Sequence, residues 1–112
     1  MKLRLFITAM MLGLAMPAAA DFKTIAEAYE VALSEIRLPQ SESGTIAFRP
    51  CAGCDFQTRR IDGSTRWLIN GEAVSLDRFR ATVRRVADRE TEAVTILHHL
   101  ERNRVTEVSV YL

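Results

Sequence analysis

"FQTRRIDGSTRWLIN", residues 56–70, carries the clearest local folding signal in the chain. Two runs that favour extended backbone flank Asp62-Gly63, a pair typical of a type I′ turn because both of its central positions need a positive φ. The second run alternates, and Trp67 falls on the same face as its β-branched neighbours. Residues 56–70 therefore predict a β-hairpin with Trp67 directed into the core.

Amphipathic helices are predicted on both sides of this hairpin. Residues 21–38 carry apolar side chains at three- and four-residue steps, with Asp21 as the cap and Pro39 as the stop signal. Asn70-Gly71 marks a turn, and Ser75 is then the expected N-cap of a second helix of about fourteen residues. The apolar stripe of this second helix comprises Leu76, Phe79, Val83, Val86 and Ala87.

Short strands complete the predicted architecture. Residues 45–49, TIAFR, alternate in character, and residues 93–112 alternate twice around the polar turn at residues 101–103. The resulting element order is α-β-β-β-α-β-β, with short connections throughout. This order predicts an α+β fold in which both helices pack on one face of an antiparallel sheet of about five strands.

The first twenty residues are predicted to be a cleaved secretory signal peptide. Lys2 and Arg4 precede the apolar run Leu5–Met16, and small residues stand just before Asp21. This apolar run is shorter than the roughly 20 residues that a helix needs to cross a bilayer. We therefore expect residues 21–112 to form one domain in the periplasm or outside the cell, with no membrane span after cleavage.

The charges of the chain favour a small or proteinaceous partner. Two of its 15 basic residues lie in the predicted leader, so the remaining domain nearly balances its 14 acidic residues. An exported protein rarely meets chromosomal DNA, so nucleic acid is not expected as a partner. Arg59 and Arg66, in the facing arms of the predicted hairpin, together with Arg49, are candidates for binding an anionic ligand or an envelope protein.

The Cys51-Ala-Gly-Cys54 sequence has three interpretations. A structural disulfide would staple the turn between two strands, which an exported location favours. A thiol–disulfide redox centre is the second, although no helix is predicted to follow the pair as it does in the thioredoxin arrangement. A metal site is the third, and it would need further ligands besides the two thiolates. The structural disulfide is the interpretation that we favour.

Catalytic motifs are not recognisable in this sequence. His98 and His99 are adjacent in a predicted strand, so their side chains leave on opposite faces, with one at the core margin and the other exposed. No nucleophile elbow, zinc-protease motif or Gly-rich phosphate loop is present. We therefore expect a non-catalytic binding or interaction module without a cofactor, with the redox and metal-binding functions at Cys51 and Cys54 as alternatives.

Overall fold

The computed structural model describes residues 25–112, and within this range the chain forms eight strands and one α-helix. A short 3-10 turn, Leu33–Glu35, separates the first two strands. The elements, in chain order, are β1 Ala26–Ala32, β2 Ile36–Arg37, β3 Thr45–Phe48, β4 Gln57–Arg60, β5 Arg66–Ile69, β6 Glu72–Val74, α1 Leu76–Arg84, β7 Ala93–His99 and β8 Arg104–Val110.

The strands form two sheets. The larger sheet has the order β1-β7-β8-β5-β6, and the smaller one has the order β2-β3-β4. Within the larger sheet β5 and β8 run parallel, while its other neighbouring strands are antiparallel. The α+β class is therefore right, but the antiparallel sheet and the strand order that the sequence predicts are wrong, because β5 pairs with a strand that lies far along the chain.

A common core joins both sheets and α1 into one small domain. The Phe48 ring, from β3, stacks on Tyr29 of β1 with ring centroids 4.9 Å apart. The Phe79 ring, from α1, meets Trp67 of β5 at 5.2 Å. Trp67 is only 3% exposed, which confirms its predicted place in the core. The largest fully buried side chains are Phe48, Phe79, Leu33, Ile46, Ile61, Ile96, Val83, Val94, Val105, Val108 and Val110.

The predicted first helix is wrong. Residues 26–32 form a strand instead, which pairs with β7 in continuous antiparallel register from Ala26 to Ala32. Tyr29 and Leu33 fit the predicted helical stripe, but together with Val31 they also recur at every second residue, which is the period of a strand. Val31 and Leu33 are buried in the core, and Tyr29 is partly buried against it. The predicted cap, Asp21, lies outside the described residues.

The predicted hairpin at Asp62-Gly63 is also wrong. β4 and β5, its two arms, lie in different sheets. Among residues 25–112 a positive φ occurs at Asn70, Gly71 and Asn103, and not at Asp62 or Gly63. Asp62 instead begins a turn in which its carbonyl accepts the Thr65 N–H at 3.1 Å. The two-residue turn with both φ angles positive is the one between β5 and β6.

The remaining local predictions agree with the structure, apart from the length of the helix. The Ser75 side chain caps α1 by accepting the Arg78 N–H at 3.2 Å. α1 ends after nine residues, at Arg84, in a tightened turn in which the Arg85 N–H donates to the Thr82 carbonyl at 3.1 Å. The Arg89 guanidinium donates to the Val83 carbonyl at 3.0 Å at this end of the helix. β7 and β8 form the closing hairpin, with an irregularity after Leu97.

Candidate functional site

The Cys51–Cys54 pair is a disulfide on the turn between β3 and β4. The two Cα atoms are 5.1 Å apart, and the Cys54 N–H donates to the Cys51 carbonyl at 3.1 Å. Cys51 is exposed, whereas Cys54 is half-buried. β4 follows three residues after Cys54, so no helix begins at this pair. The predicted disulfide is confirmed, and neither of its cysteines is a buried core residue.

An aromatic ring in contact with two cations lies beside the disulfide turn in the sequence. The guanidinium carbons of Arg37 and Arg49 lie 4.3 and 5.0 Å from the centre of the Phe56 ring. Phe56 is 38% exposed, although it is a large apolar residue. These side chains lie on the outer face of the small sheet, since Ile36 and Phe48, one residue away from the two arginines, face the core. We call Arg37, Arg49, Phe56 and the Cys51–Cys54 turn the Phe56 surface.

One member of the Phe56 surface is fixed by an ion pair. The Arg49 Nε donates to the Glu35 carboxylate at 2.7 Å, and the Arg49 N–H donates to the Glu35 carbonyl at 3.0 Å. This pairing neutralises Arg49 and orders its side chain next to the turn. Arg37 forms no ion pair within residues 25–112, so its charge remains available to an anionic group.

An open cleft of about 480 Å³ adjoins the disulfide turn. Its lining carries both signs of charge, from the paired Arg49 and Glu35 and from Glu90. The remaining lining residues are Ala32, Ser34, Pro50, Cys51 and Ala52. The exposed residue Cys51 thus borders a concave surface large enough to receive a side chain of a partner.

The three arginines singled out from the sequence do not converge. Arg49 lies on the outer face of the small sheet, and Arg59 lies on its inner face, where it donates to the Gln57 Oε1 at 2.9 Å. Arg66 is exposed on β5 in the other sheet, opposite Glu107 of β8. The facing hairpin arms that would have joined Arg59 and Arg66 do not exist. A role of each arginine in binding stays a prediction.

Arg59 is part of the junction between the two sheets. Its guanidinium reaches the Tyr29 hydroxyl at 3.5 Å and lies 5.9 Å from the centre of the Tyr29 ring. The Arg59 Nε is buried without a hydrogen-bond partner. The Tyr29 hydroxyl in turn donates to Glu27 at 2.6 Å. This network packs β4 against β1.

The two histidines lie apart from the disulfide in the sequence and have different environments. His98 is 5% exposed; its Nε2 lies 3.3 Å from the Asn103 Oδ1, and its Nδ1 is buried without a partner. The His99 Nδ1 accepts the Arg102 N–H at 3.1 Å. In the part of the chain that the structure describes, no three His, Cys, Asp or Glu side chains come together as metal ligands.

A second cleft, which the sequence analysis did not identify, lies between β2 and α1. Its polar lining consists of Arg80, Arg84 and Arg89, and its apolar lining consists of Ile36, Leu38 and Val83. The four-residue spacing of Arg80 and Arg84 was visible in the sequence as one flank of the helix. The approach of Arg89 was not, because it depends on where α1 ends and how the chain turns back toward Leu33.

A cluster of polar side chains around Asp62 lies at the turn that connects the two sheets. Asp62 accepts hydrogen bonds from the Ser64 hydroxyl at 2.7 Å and from the Ser64 N–H at 2.9 Å, and it forms an ion pair with Arg104. The pKa of Asp62 falls from 3.8 to about 2. The hydrogen bond from the Ser64 side chain lowers it most, followed by the hydrogen bond from Arg104 and the one from the Ser64 backbone N–H. These polar groups are hydrogen-bond and ion-pair partners of one another, so the cluster stabilises the turn.

The lowered pKa of Asp62 predicts a specific acid sensitivity. A carboxyl group whose pKa falls on folding adds stability above its unfolded pKa of 3.8, and this contribution disappears as the pH falls through the folded pKa of about 2. We expect thermal unfolding to show wild type more stable than Asp62→Asn by a constant margin above about pH 5. The margin should shrink below about pH 4 and be lost only below the folded pKa, at about pH 1; an undiminished margin there would contradict the prediction.

The chain matches no protein-family model, and it has no significant similarity to a curated protein or to a solved structure. Among residues 25–112, no helix combines the length and apolar character needed to span a membrane. The geometry of the described residues is therefore the basis for a functional proposal.

Proposed function

We propose that this protein is a small exported, non-catalytic binding module that contacts another envelope protein or a small anionic ligand through the Phe56 surface. Export is supported by the charged and apolar pattern of residues 1–20. The contact role is supported by the exposure of Phe56 and by its contact with two guanidinium groups. The predicted signal peptide itself lies outside the described residues.

The observation that carries this proposal is the ordered exposure of Phe56. Aromatic and arginine side chains supply most of the binding energy in protein interfaces, because they bury a large apolar area and still offer directional hydrogen bonds. Here Arg37 and Arg49 stack on the same ring, and Glu35 fixes Arg49 from behind. A partner therefore meets a surface whose side chains are already arranged, which lowers the entropy cost of binding.

In this proposal the disulfide holds the turn next to Phe56 in shape. The chain-entropy argument gives a bond that closes a four-residue loop only about 2 kcal/mol of stabilisation. This is a modest gain for the domain, but the constraint acts directly on the residues between Arg49 and Phe56. We assign the Cys51–Cys54 bond a structural role in ordering the binding surface.

A redox function is the alternative that a specific observation favours. Cys51 is exposed and borders the 480 Å³ cleft, so a thiolate of a partner has access to its sulfur. A reduction potential between about −230 and −120 mV would support this alternative, whereas structural disulfides lie below about −300 mV. The metal-binding alternative requires the bond to be reduced and additional ligands to be supplied.

Site-specific photo-cross-linking in cells tests the proposal. We expect a photoreactive residue at position 56 to give a discrete cross-linked product, because this ring occupies the centre of the Phe56 surface. The same residue at position 95, which is Thr95 on the exposed side of β7, is the matched control and should give none. Replacing Arg37 by glutamine should reduce the product at position 56, since it removes the unpaired cation.

Cysteine variants in the same cross-linking experiment distinguish a structural role of the disulfide from a redox role. In the Cys51→Ser/Cys54→Ser variant we expect a folded protein with weaker cross-linking, because the turn is no longer constrained. Equal products at positions 56 and 95, or none at either, would rule out the Phe56 surface as the contact with an envelope protein. A partner joined to Cys51 through a mixed disulfide in the Cys54→Ser variant would support the redox function instead.

A further inference from the structure

The second cleft, between β2 and α1, has a volume of about 160 Å³ and an unusual charge distribution. Each of its polar lining residues is an arginine: Arg80 and Arg84 from α1, and Arg89 from the segment after it. No carboxylate lines this cleft, in contrast to the cleft beside the disulfide. The cleft therefore concentrates positive charge that its own walls do not compensate.

Arg80 and Arg84 are not neutralised by other side chains. Within residues 25–112 neither forms an ion pair or a side-chain hydrogen bond. Their four-residue spacing places both cations on the same side of α1, where like charges destabilise a helix by a few tenths of a kcal/mol. A bound anion would relieve this repulsion, so the free helix is arranged to gain from ligand binding.

Arg89 is held in place at the edge of the cleft. Its two terminal nitrogens donate to the Val83 carbonyl at 3.0 Å and to the Leu33 carbonyl at 3.3 Å. Both acceptors are neutral, so they orient the guanidinium without cancelling its charge. A third cation thus stands in a fixed orientation beside Arg80 and Arg84, which reduces the ordering cost of binding.

The floor of the cleft is apolar. Ile36 and Val83 are both buried core residues, and Leu38 is half-buried beside them. Such a floor removes water from one side of a bound anion and strengthens its attraction to the guanidinium groups compared with a flat, solvated surface. An ordinary solvated row of arginines on a helix has no such floor.

The size and the donor type define the ligand class. A liquid-phase water molecule takes about 30 Å³, so the cleft of about 160 Å³ has room for a phosphate group and a short organic stem, but not for a drug-sized ligand. Guanidinium groups match the oxygen geometry of phosphate by paired hydrogen bonds. Three cations also favour an ion that carries more than one negative charge.

We infer that Arg80, Arg84 and Arg89 form a binding site for a phosphate-class oxyanion, presented either as free phosphate or as the phosphate of a lipid headgroup. The site uses none of the residues of the Phe56 surface. The phosphate site can therefore be tested independently of the proposed partner contact.

Titration of inorganic phosphate into the folded protein, followed by backbone NMR shifts at constant ionic strength, tests the site. We expect a saturable response centred on α1 and the residues near Leu38. Arg80→Gln and Arg84→Gln should each weaken binding about tenfold or more, as loss of a charge-assisted hydrogen bond predicts. Arg78→Gln is the matched control, because Arg78 is exposed on the same helix and does not line the cleft.

A second arm of the experiment identifies the source of the phosphate. Vesicles of phosphatidylcholine are compared with and without phosphatidic acid, using sedimentation of the protein as the readout. Saturable binding of inorganic phosphate alone supports a soluble ligand, and preferential binding to the phosphatidic acid vesicles supports a headgroup, provided that Arg84→Gln weakens either one. If Arg80→Gln fails to fold, the exposed Arg84 decides the test.

Two results would overturn the inference. One is the absence of a saturable response to either probe up to about 20 mM phosphate, a range that covers even millimolar affinity. The other is an equal loss of binding in Arg78→Gln and Arg84→Gln, which would indicate that the net charge of the helix attracts anions without a defined site.

Discussion

Replacing Phe79 by alanine is expected to lower the free energy of unfolding by about 3–5 kcal/mol, as other truncations of fully buried aromatic residues do. Phe79 has no exposed surface, and its ring lies 5.2 Å from that of Trp67. Truncation leaves a cavity between α1 and β5, the contact through which the helix joins the larger sheet. Urea unfolding measures this loss of stability. The substitution should remove much of the unfolding free energy of about 5–15 kcal/mol that is typical of a small domain.

Two controls keep this prediction specific. Phe79→Leu retains most of the buried volume and should cost clearly less, whereas Arg78→Ala, at an exposed position of α1, should change stability by no more than about 0.5 kcal/mol. The chain has a single tryptophan, so Trp67 fluorescence reports directly on water entering the cavity. A loss below about 1 kcal/mol in Phe79→Ala would contradict the packing of α1 on β5.

Replacing Thr65 by valine is expected to cost about 2–3 kcal/mol, even though the side chains have nearly the same shape. The buried Thr65 hydroxyl donates to the Val105 carbonyl at 2.7 Å and accepts the Asp62 N–H at 3.1 Å. Valine leaves both backbone groups without their partner, and a buried polar group that loses its partner carries most of its desolvation cost. Thermal and urea unfolding both measure this loss.

Thr65→Ser is the matched variant for this hydroxyl. It keeps both hydrogen bonds and loses one methyl group, so its cost should be about 1 kcal/mol. The prediction fails if valine is tolerated as well as serine, because the hydroxyl would then have no role in joining the turn at Asp62 to β8. Both variants leave the Phe56 surface and the arginine cleft unaltered, so they report on the fold alone.

Sequence signals that depend on a few neighbouring residues predicted the structure well. Asn70-Gly71 forms a turn, Ser75 caps α1, and the alternation in residues 93–112 forms a hairpin. Each of these features is decided by local backbone preferences or local hydrogen bonds. The Cys51–Cys54 disulfide belongs to the same group, because three residues of separation limit where the two sulfurs can go.

Long-range pairing accounts for the predictions that were wrong. Residues 26–32 fit both a helical stripe and a strand alternation, and only the presence of β7 alongside them decides for the strand. β4 and β5 look like hairpin arms, yet β5 is taken by the parallel pairing with β8. The site residues follow the same rule: Arg80 and Arg84 are visible as a helix flank, while the contribution of Arg89 depends on tertiary structure.

The central position of β8 has a consequence for the order in which this chain folds. Among residues 25–112, β8 is the last strand in sequence order, yet it lies between β7 and β5, and without it β1-β7 and β5-β6 would be two separate strand pairs. Such late, long-range pairing slows folding, because the cost of closing the intervening loop precedes the gain from contacts. We expect the larger sheet to remain incomplete until β8 has paired with both of its neighbours. That delay suits a protein that we propose crosses a membrane before it folds.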